Sequence, residues 1–92
     1  MEIEIHSYPK NNNLISGSIY YMGVYSFEAK LYDEGSQFGI NNGRISKLTI
    51  RDLSNNIIIN YDRGWDIEPC NSIEKHILNE LVDYLETARK RF

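Results

Sequence analysis

The 92-residue chain has one cysteine, two prolines, one tryptophan and no long apolar run. A single cysteine excludes an internal disulfide framework and any metal site built from several thiolates. No apolar stretch approaches the ~18 residues that a membrane span needs. Residues 1–8 carry neither the basic region nor the apolar stretch of a signal peptide. Positive charge is also in short supply: ten Lys and Arg stand against 13 Asp and Glu, for a net charge of −3. Binding nucleic acid through bulk charge needs a basic face, so nucleic acid is not an expected partner. No repeat or linker divides the sequence. What is present, 41% hydrophobic and 25% charged residues, suits one folded domain over residues 1–92. The expectation is a soluble, cytoplasmic domain without membrane contact.

Asparagine marks the turns. Asn11-Asn12-Asn13, Asn41-Asn42 and Asn55-Asn56 each sit between apolar stretches, and Asn tolerates left-handed backbone and closes local turns through its side chain. Between these marks, alternation of apolar and polar residues predicts strands over residues 2–6, 14–21, 24–32, 44–52 and 57–61. Met22-Gly23 makes a hairpin of the second and third strands, with glycine free to take positive φ. Tyr25, Phe27, Ala29 and Leu31 share one face of the third strand. Ile45 is out of phase with Leu48 and Ile50, which predicts a bulge near Gly43-Arg44. In the fifth strand, Ile57, Ile59 and Tyr61 fall on one side and Ile58 on the other, as if both faces were covered. Ile73, Ile77, Leu78, Leu81, Tyr84, Leu85, Ala88 and Phe92 recur at helical spacing and predict an amphipathic helix over 72–91. Asn71 and Glu74 have the spacing of a capping box, and Arg89, Lys90 and Arg91 complement the helix dipole at the far end. The fold class is therefore α+β: an antiparallel meander of four to five strands with one C-terminal helix packed across one face.

Two segments are unusual. Residues 33–43 hold three glycines with Phe38 and Ile40, which a plain solvated loop would not need, so both are expected to pin the loop to the sheet. One reading is a shaped loop with positive φ at each glycine. The sharper reading is a backbone nest, with Gly39, Asn41, Asn42, Gly43, Arg44 and Ser46, that binds an anion or a partner's carboxylate. It is no P-loop, because the Lys-Ser/Thr ending is missing and a strand follows. The second segment, Tyr61, Asp62, Arg63, Gly64, Trp65 and Asp66, surrounds the lone tryptophan with charge. Aromatic residues and arginine dominate binding hot spots. A structural reading has the tryptophan over the core edge and Asp62 or Asp66 pairing Arg63 or Arg44. Among seven tyrosines, Tyr20 and Tyr32 point away from the predicted core and suit a protein-binding surface. Groups for chemistry are sparse. Cys70 precedes the helix, whose dipole lowers a thiol pKa, but His76 lies inside the helix and no third group orients it as a base. His6, His76 and Cys70 share no metal-ligand spacing. No catalytic residue, metal or cofactor is expected, and the chain does not read as an enzyme.

The run Tyr32-Asp-Glu-Gly-Ser-Gln-Phe-Gly-Ile-Asn-Asn-Gly-Arg-Ile-Ser-Lys-Leu48, followed by Tyr61-Asp-Arg-Gly-Trp-Asp66, resembles a family of small uncharacterised proteins of unknown function. They are encoded by phages and prophages of low-GC Gram-positive bacteria. The resemblance spans residues 24–70 and implies a phage accessory role, with no reaction, cofactor or substrate. Joined to the acidity and the two loops, it gives the expectation of a small binding protein that occupies a host protein. An inhibitor of an antiviral defence system, in the manner of an anti-CRISPR protein, is the form considered. Two alternatives stand beside it: a nucleotide or small-anion sponge using Arg44 and Arg63, and a homo-oligomeric structural protein, a homodimer being the simplest case.

Overall fold

The computed structural model describes residues 1–9 and 12–87. Six strands, β1 (Glu2–Ser7), β2 (Leu14–Tyr20), β3 (Val24–Leu31), β4 (Ile45–Arg51), β5 (Ile57–Asp62) and β6 (Trp65–Ile67), form one antiparallel sheet in sequence order. One helix, α1 (Ser72–Glu86), follows. The predicted α+β meander with a C-terminal helix is present, with six strands rather than four to five. The extra strand is β6, three residues long, which is too short to show alternation. Residues 88–91 of the predicted helix, with Ala88 and the basic residues, lie outside the described residues, as does Phe92.

Asparagine turns the chain as its chemistry suggests: Asn13, Asn41, Asn42 and Asn55 all have left-handed φ, between 54° and 68°. In the β4–β5 turn, Asp52 Oδ1 accepts from the main-chain N–H groups of Ser54 and Asn56. The β2–β3 turn places Met22 at φ 52° and Gly23 at φ 136°, the latter open to glycine at no steric cost. Alternation holds cleanly along β2 and β3. Ile15, Ile19, Phe27, Ala29 and Leu31 are all buried.

Bulges break the alternation elsewhere. Lys30 pairs with Lys47 but Leu31 pairs with Ile45, so the extra residue is Ser46. The bulge thus lies inside β4 rather than at Gly43-Arg44, and it turns Ile45 inward beside Leu48 and Ile50. A second bulge lies in β5, where Ile50 pairs with Ile59 and Arg51 with Ile57. It corrects the expected facing of that strand. Ile57 is exposed, while Ile58 packs against the core beside buried Ile59 and Tyr61. An inserted residue shifts every side chain before it to the other face, which a period of two cannot represent.

The buried core is the inner sheet face plus Ile77, Leu78, Leu81 and Leu85 of α1, with Ile40 from the 32–44 loop. Asn71 caps the helix, its Oδ1 accepting from Glu74 N at 2.8 Å. Glu74 Oε1 accepts in return from Cys70 N, one residue before the cap. The helix runs along the strands. Near its start His76 stacks on Tyr21 of the β2–β3 turn, ring centroids 4.6 Å apart, and its last residue meets Arg44, just before β4. It passes nearest β4. The opposite sheet face is mixed: Leu14, Tyr20 and Val24 are exposed on it, and Arg51 bonds to Glu28 at 3.0 Å and Thr49 to Asn60 at 2.7 Å.

Leu81, fully buried between helix and sheet, tests this arrangement. Leu81→Ala should cost about 2–5 kcal/mol through the cavity it leaves, read as a lower midpoint in urea denaturation followed by circular dichroism. Leu81→Asp should abolish cooperative unfolding, because it buries a charge with no partner. A near-normal melt for the aspartate variant would refute the helix–sheet packing.

Candidate functional site

The two unusual segments, apart in sequence, meet in space because β4 and β5 are neighbours, with Lys47 opposite Asp62. Arg63 N donates to Ser46 O at 2.9 Å, and the Tyr61 hydroxyl donates to Phe38 O at 2.8 Å. Trp65 pairs with Tyr61 in the β5–β6 register, and their rings meet edge to face, centroids 5.1 Å apart and planes at 77°.

The 32–44 loop is closed on itself. Gly39 N donates to Ser36 O, Asn42 N to Gly39 O, Gly43 N to Ile40 O and Ser36 N to Gly43 O, all between 2.9 and 3.1 Å. None of its three glycines has positive φ; Asn41 and Asn42 take the left-handed positions instead. The glycines serve close approach, since a Cβ on Gly39 would collide with the Gly43 carbonyl and one on Gly43 with the Glu86 carboxylate. That carboxylate is the anion the loop binds. Glu86 Oε2 accepts from Arg44 N at 2.8 Å, and Arg44 Nη1 donates to Glu86 O at 2.7 Å. Arg44 Nε donates to Tyr32 O at 2.8 Å. Of the nest expected for an outside ligand, the Arg44 N–H is thus taken from within, by a residue 42 positions on in the chain.

Two grooves border this meeting point. The first, about 590 Å³, lies between α1 and β6. Its walls are Ile40, Asn41 and Gly43 on one side, Trp65 on another, and Leu78, Asn79, Val82, Asp83 and Glu86 along the helix. The second, about 720 Å³, is formed by Asn13, Tyr32, Asp33, Glu34, Ser36, Phe38, Ser46 and Arg63. Both expose large aromatics: Trp65 is 41% exposed, Tyr32 40% and Phe38 48%. Of the two residues expected to pin the loop, Ile40 does so and Phe38 does not; its side chain lines the second groove.

The eleven residues singled out from sequence therefore separate. Asn41, Gly43 and Trp65 line the first groove, and Ser46 and Arg63 the second. Gly39, Arg44 and Tyr61 are framework, bonded within the loop and to Glu86, and Asn42 gives its main-chain N–H to Gly39 O while its side chain is exposed. Asp62 and Asp66 belong to neither groove. Asp66 Oδ2 accepts from Asn60 Nδ2 at 3.0 Å. No ion pair joins either aspartate to Arg44 or Arg63 among the described residues. Asp83, Glu86, Leu78 and Val82 went unread as site residues because they look like ordinary positions of an amphipathic helix.

Cys70 is exposed. Its thiol is pushed above the usual range by Glu74, through a hydrogen bond and by charge repulsion, with desolvation adding to both. This reverses the lowering expected from the helix dipole: a carboxylate held in the first turn outweighs the partial charge of the helix end. His76 faces Tyr21 and lies 3.8 Å from Glu80. Among the described residues no group of three or more His, Cys, Asp and Glu is placed to hold a metal ion. Among the described residues no helix is long and apolar enough to cross a membrane.

The architecture is that of a small α+β domain, a six-stranded meander carrying one helix and two solvent-open grooves. The chain belongs to the family described as Domain of unknown function (DUF7678), whose model matches residues 13–86. No curated protein and no solved structure matches it.

Two outcomes check this reading of the site. Arg44→Ala should lower stability by about 2–3 kcal/mol, the scale of hydrogen bonds to charged partners, measured by urea denaturation. Iodoacetamide should alkylate Cys70 more slowly at pH 8 in the folded protein than in urea, since less thiolate forms near Glu74. Glu74→Gln should restore most of the rate.

Proposed function

We propose that the protein is a binding module that acts by occupying a partner protein rather than by catalysis. The observation that carries this reading is the convergence of three exposed aromatics, Tyr32, Phe38 and Trp65, with Arg63 around two adjoining grooves. Aromatic and arginine side chains in such settings supply most of the free energy of protein association. In its fuller form the proposal is of a phage accessory protein that occupies a host protein, with antiviral defence systems as the natural targets for a small acidic inhibitor. The motifs at residues 32–48 and 61–66 motivate that form.

The nucleotide or small-anion alternative is less favoured by the geometry. The loop amides that would cradle a phosphate are spent on each other and on Glu86. Arg44 is committed to Tyr32 and Glu86, and Arg63 shares its groove with Asp33 and Glu34. A homo-oligomer would use the sheet edges, and light scattering on the purified protein distinguishes it from a monomer.

The test is affinity capture from a lysate of a low-GC Gram-positive host. One dominant partner is expected, lost or at least tenfold reduced with Trp65→Ala or with Phe38→Ser plus Arg63→Glu, and retained with Lys75→Ala on the exposed helix face. Undiminished capture by both groove variants would refute these surfaces as the site. A nucleotide panel should leave the melting temperature unchanged, because a ligand specific to the folded state would raise it.

A further inference from the structure

We infer that the groove between α1 and β6 is a receptor for an arginine side chain on an extended segment of the partner protein, an inference that rests on the binding role above. Three features on the groove point to this chemistry. Its floor is apolar, made by Ile40 and Leu78, with Val82 partly buried beside them. Its helix wall carries Asp83 and Glu86, and no lysine or arginine among the described residues lines it. Its far wall is the indole of Trp65, 41% exposed.

The edge-to-face contact with Tyr61 leaves at least one face of that indole uncovered by the tyrosine, because only one ring face or edge is used in such a pair. An arginine side chain meets all three features at once. Its methylene stem covers apolar floor. Its guanidinium is attracted to an indole face, best of the aromatic partners. Its planar fork matches a carboxylate in a way that a lysine ammonium does not. Glu86 already accepts a main-chain N–H from Arg44, so Asp83, whose carboxylate has no cationic partner among the described residues, is the principal acceptor. A phosphorylated or acidic segment would meet like charge here and is disfavoured.

Trp65 is the only tryptophan, so its fluorescence reports on this groove alone. The probe is a blocked Leu-Arg-Leu-Arg-Leu pentapeptide, with citrulline, lysine and glutamate counterparts. The arginine peptide should change Trp65 emission saturably and bind at least tenfold more tightly than the citrulline peptide, with lysine between them and glutamate without effect. Its affinity should fall with added salt and drop at least tenfold in Asp83→Asn. By calorimetry, Trp65→Ala should lose binding and Trp65→Phe should keep part of it. Equal binding of the citrulline peptide, or unchanged affinity in Asp83→Asn, would overturn the inference. Capture of a host partner by the Trp65→Ala variant would show this groove to be wrong while leaving the binding role standing on the other.

Discussion

One helix must cover one face of a six-stranded sheet, and most of the molecule follows from that mismatch in size. Five strand spacings make a sheet about 24 Å wide, whereas a helix with its side chains is about 10 Å across. Because α1 runs along the strands and nearest β4, it buries the middle of the inner face and leaves both flanks uncovered. On one flank Met1 and Ile3 face Glu80, Asp83 and Tyr84 across a shallow cleft of about 200 Å³, so that Asp83 stands on the ridge between the two flanks. On the other, Ile40 and Trp65 fill part of the gap and leave the larger groove. The grooves are thus consequences of the layer geometry, and what varies is how each flank is lined.

The clasp at the end of the helix fixes that lining. A glycine-rich loop ahead of a strand offers main-chain N–H groups to an anion, and here Glu86 takes the offer. The result is a rigid wall. Gly43 is held against the carboxylate, Arg44 ties the end of the helix to Tyr32, and Ile40 is driven into the core. A surface loop of this length needs such anchors if it is to present a defined shape. The same contacts set the electrostatic character of the first groove, because they bring Glu86 to its rim with Asp83 one turn away.

The outer sheet face follows a different logic. Leu14, Tyr20, Val24, Ile57 and Ile67 stand exposed on it, among polar side chains that bond to one another: Ser18 with His6 at 3.2 Å, Glu28 with Arg51, Thr49 with Asn60, Asn60 with Asp66. Such pairs add modestly to stability at exposed positions. Both grooves lie instead at the end of the sheet where the 32–44 loop, the β5–β6 turn and the end of α1 come together.

The alternating residues of β2 and β3 and the stripe of α1 were legible in the sequence because each reports a local period, and Asn71 with Glu74 announced the cap by spacing alone. Asparagine turns were legible for the same reason: the preference belongs to the residue. Local rules failed where a single inserted residue reset the facing, at Ser46 and Ile58, and where a strand was too short to have a period, at β6. Trp65 and Arg63 could be singled out by residue type, but nothing local said that Arg44 is spent within the fold or that Asp83 belongs to a groove. By itself, then, the sequence determined five of the six strands and the helix, their order, and the buried face of β2, β3 and α1, since these depend on neighbours within one or two turns of chain. Only the tertiary structure decided which carboxylate meets the glycine loop, which arginine is left exposed at a groove, and which helix residues become a wall. Each of those depends on a contact between segments that the chain itself places far apart.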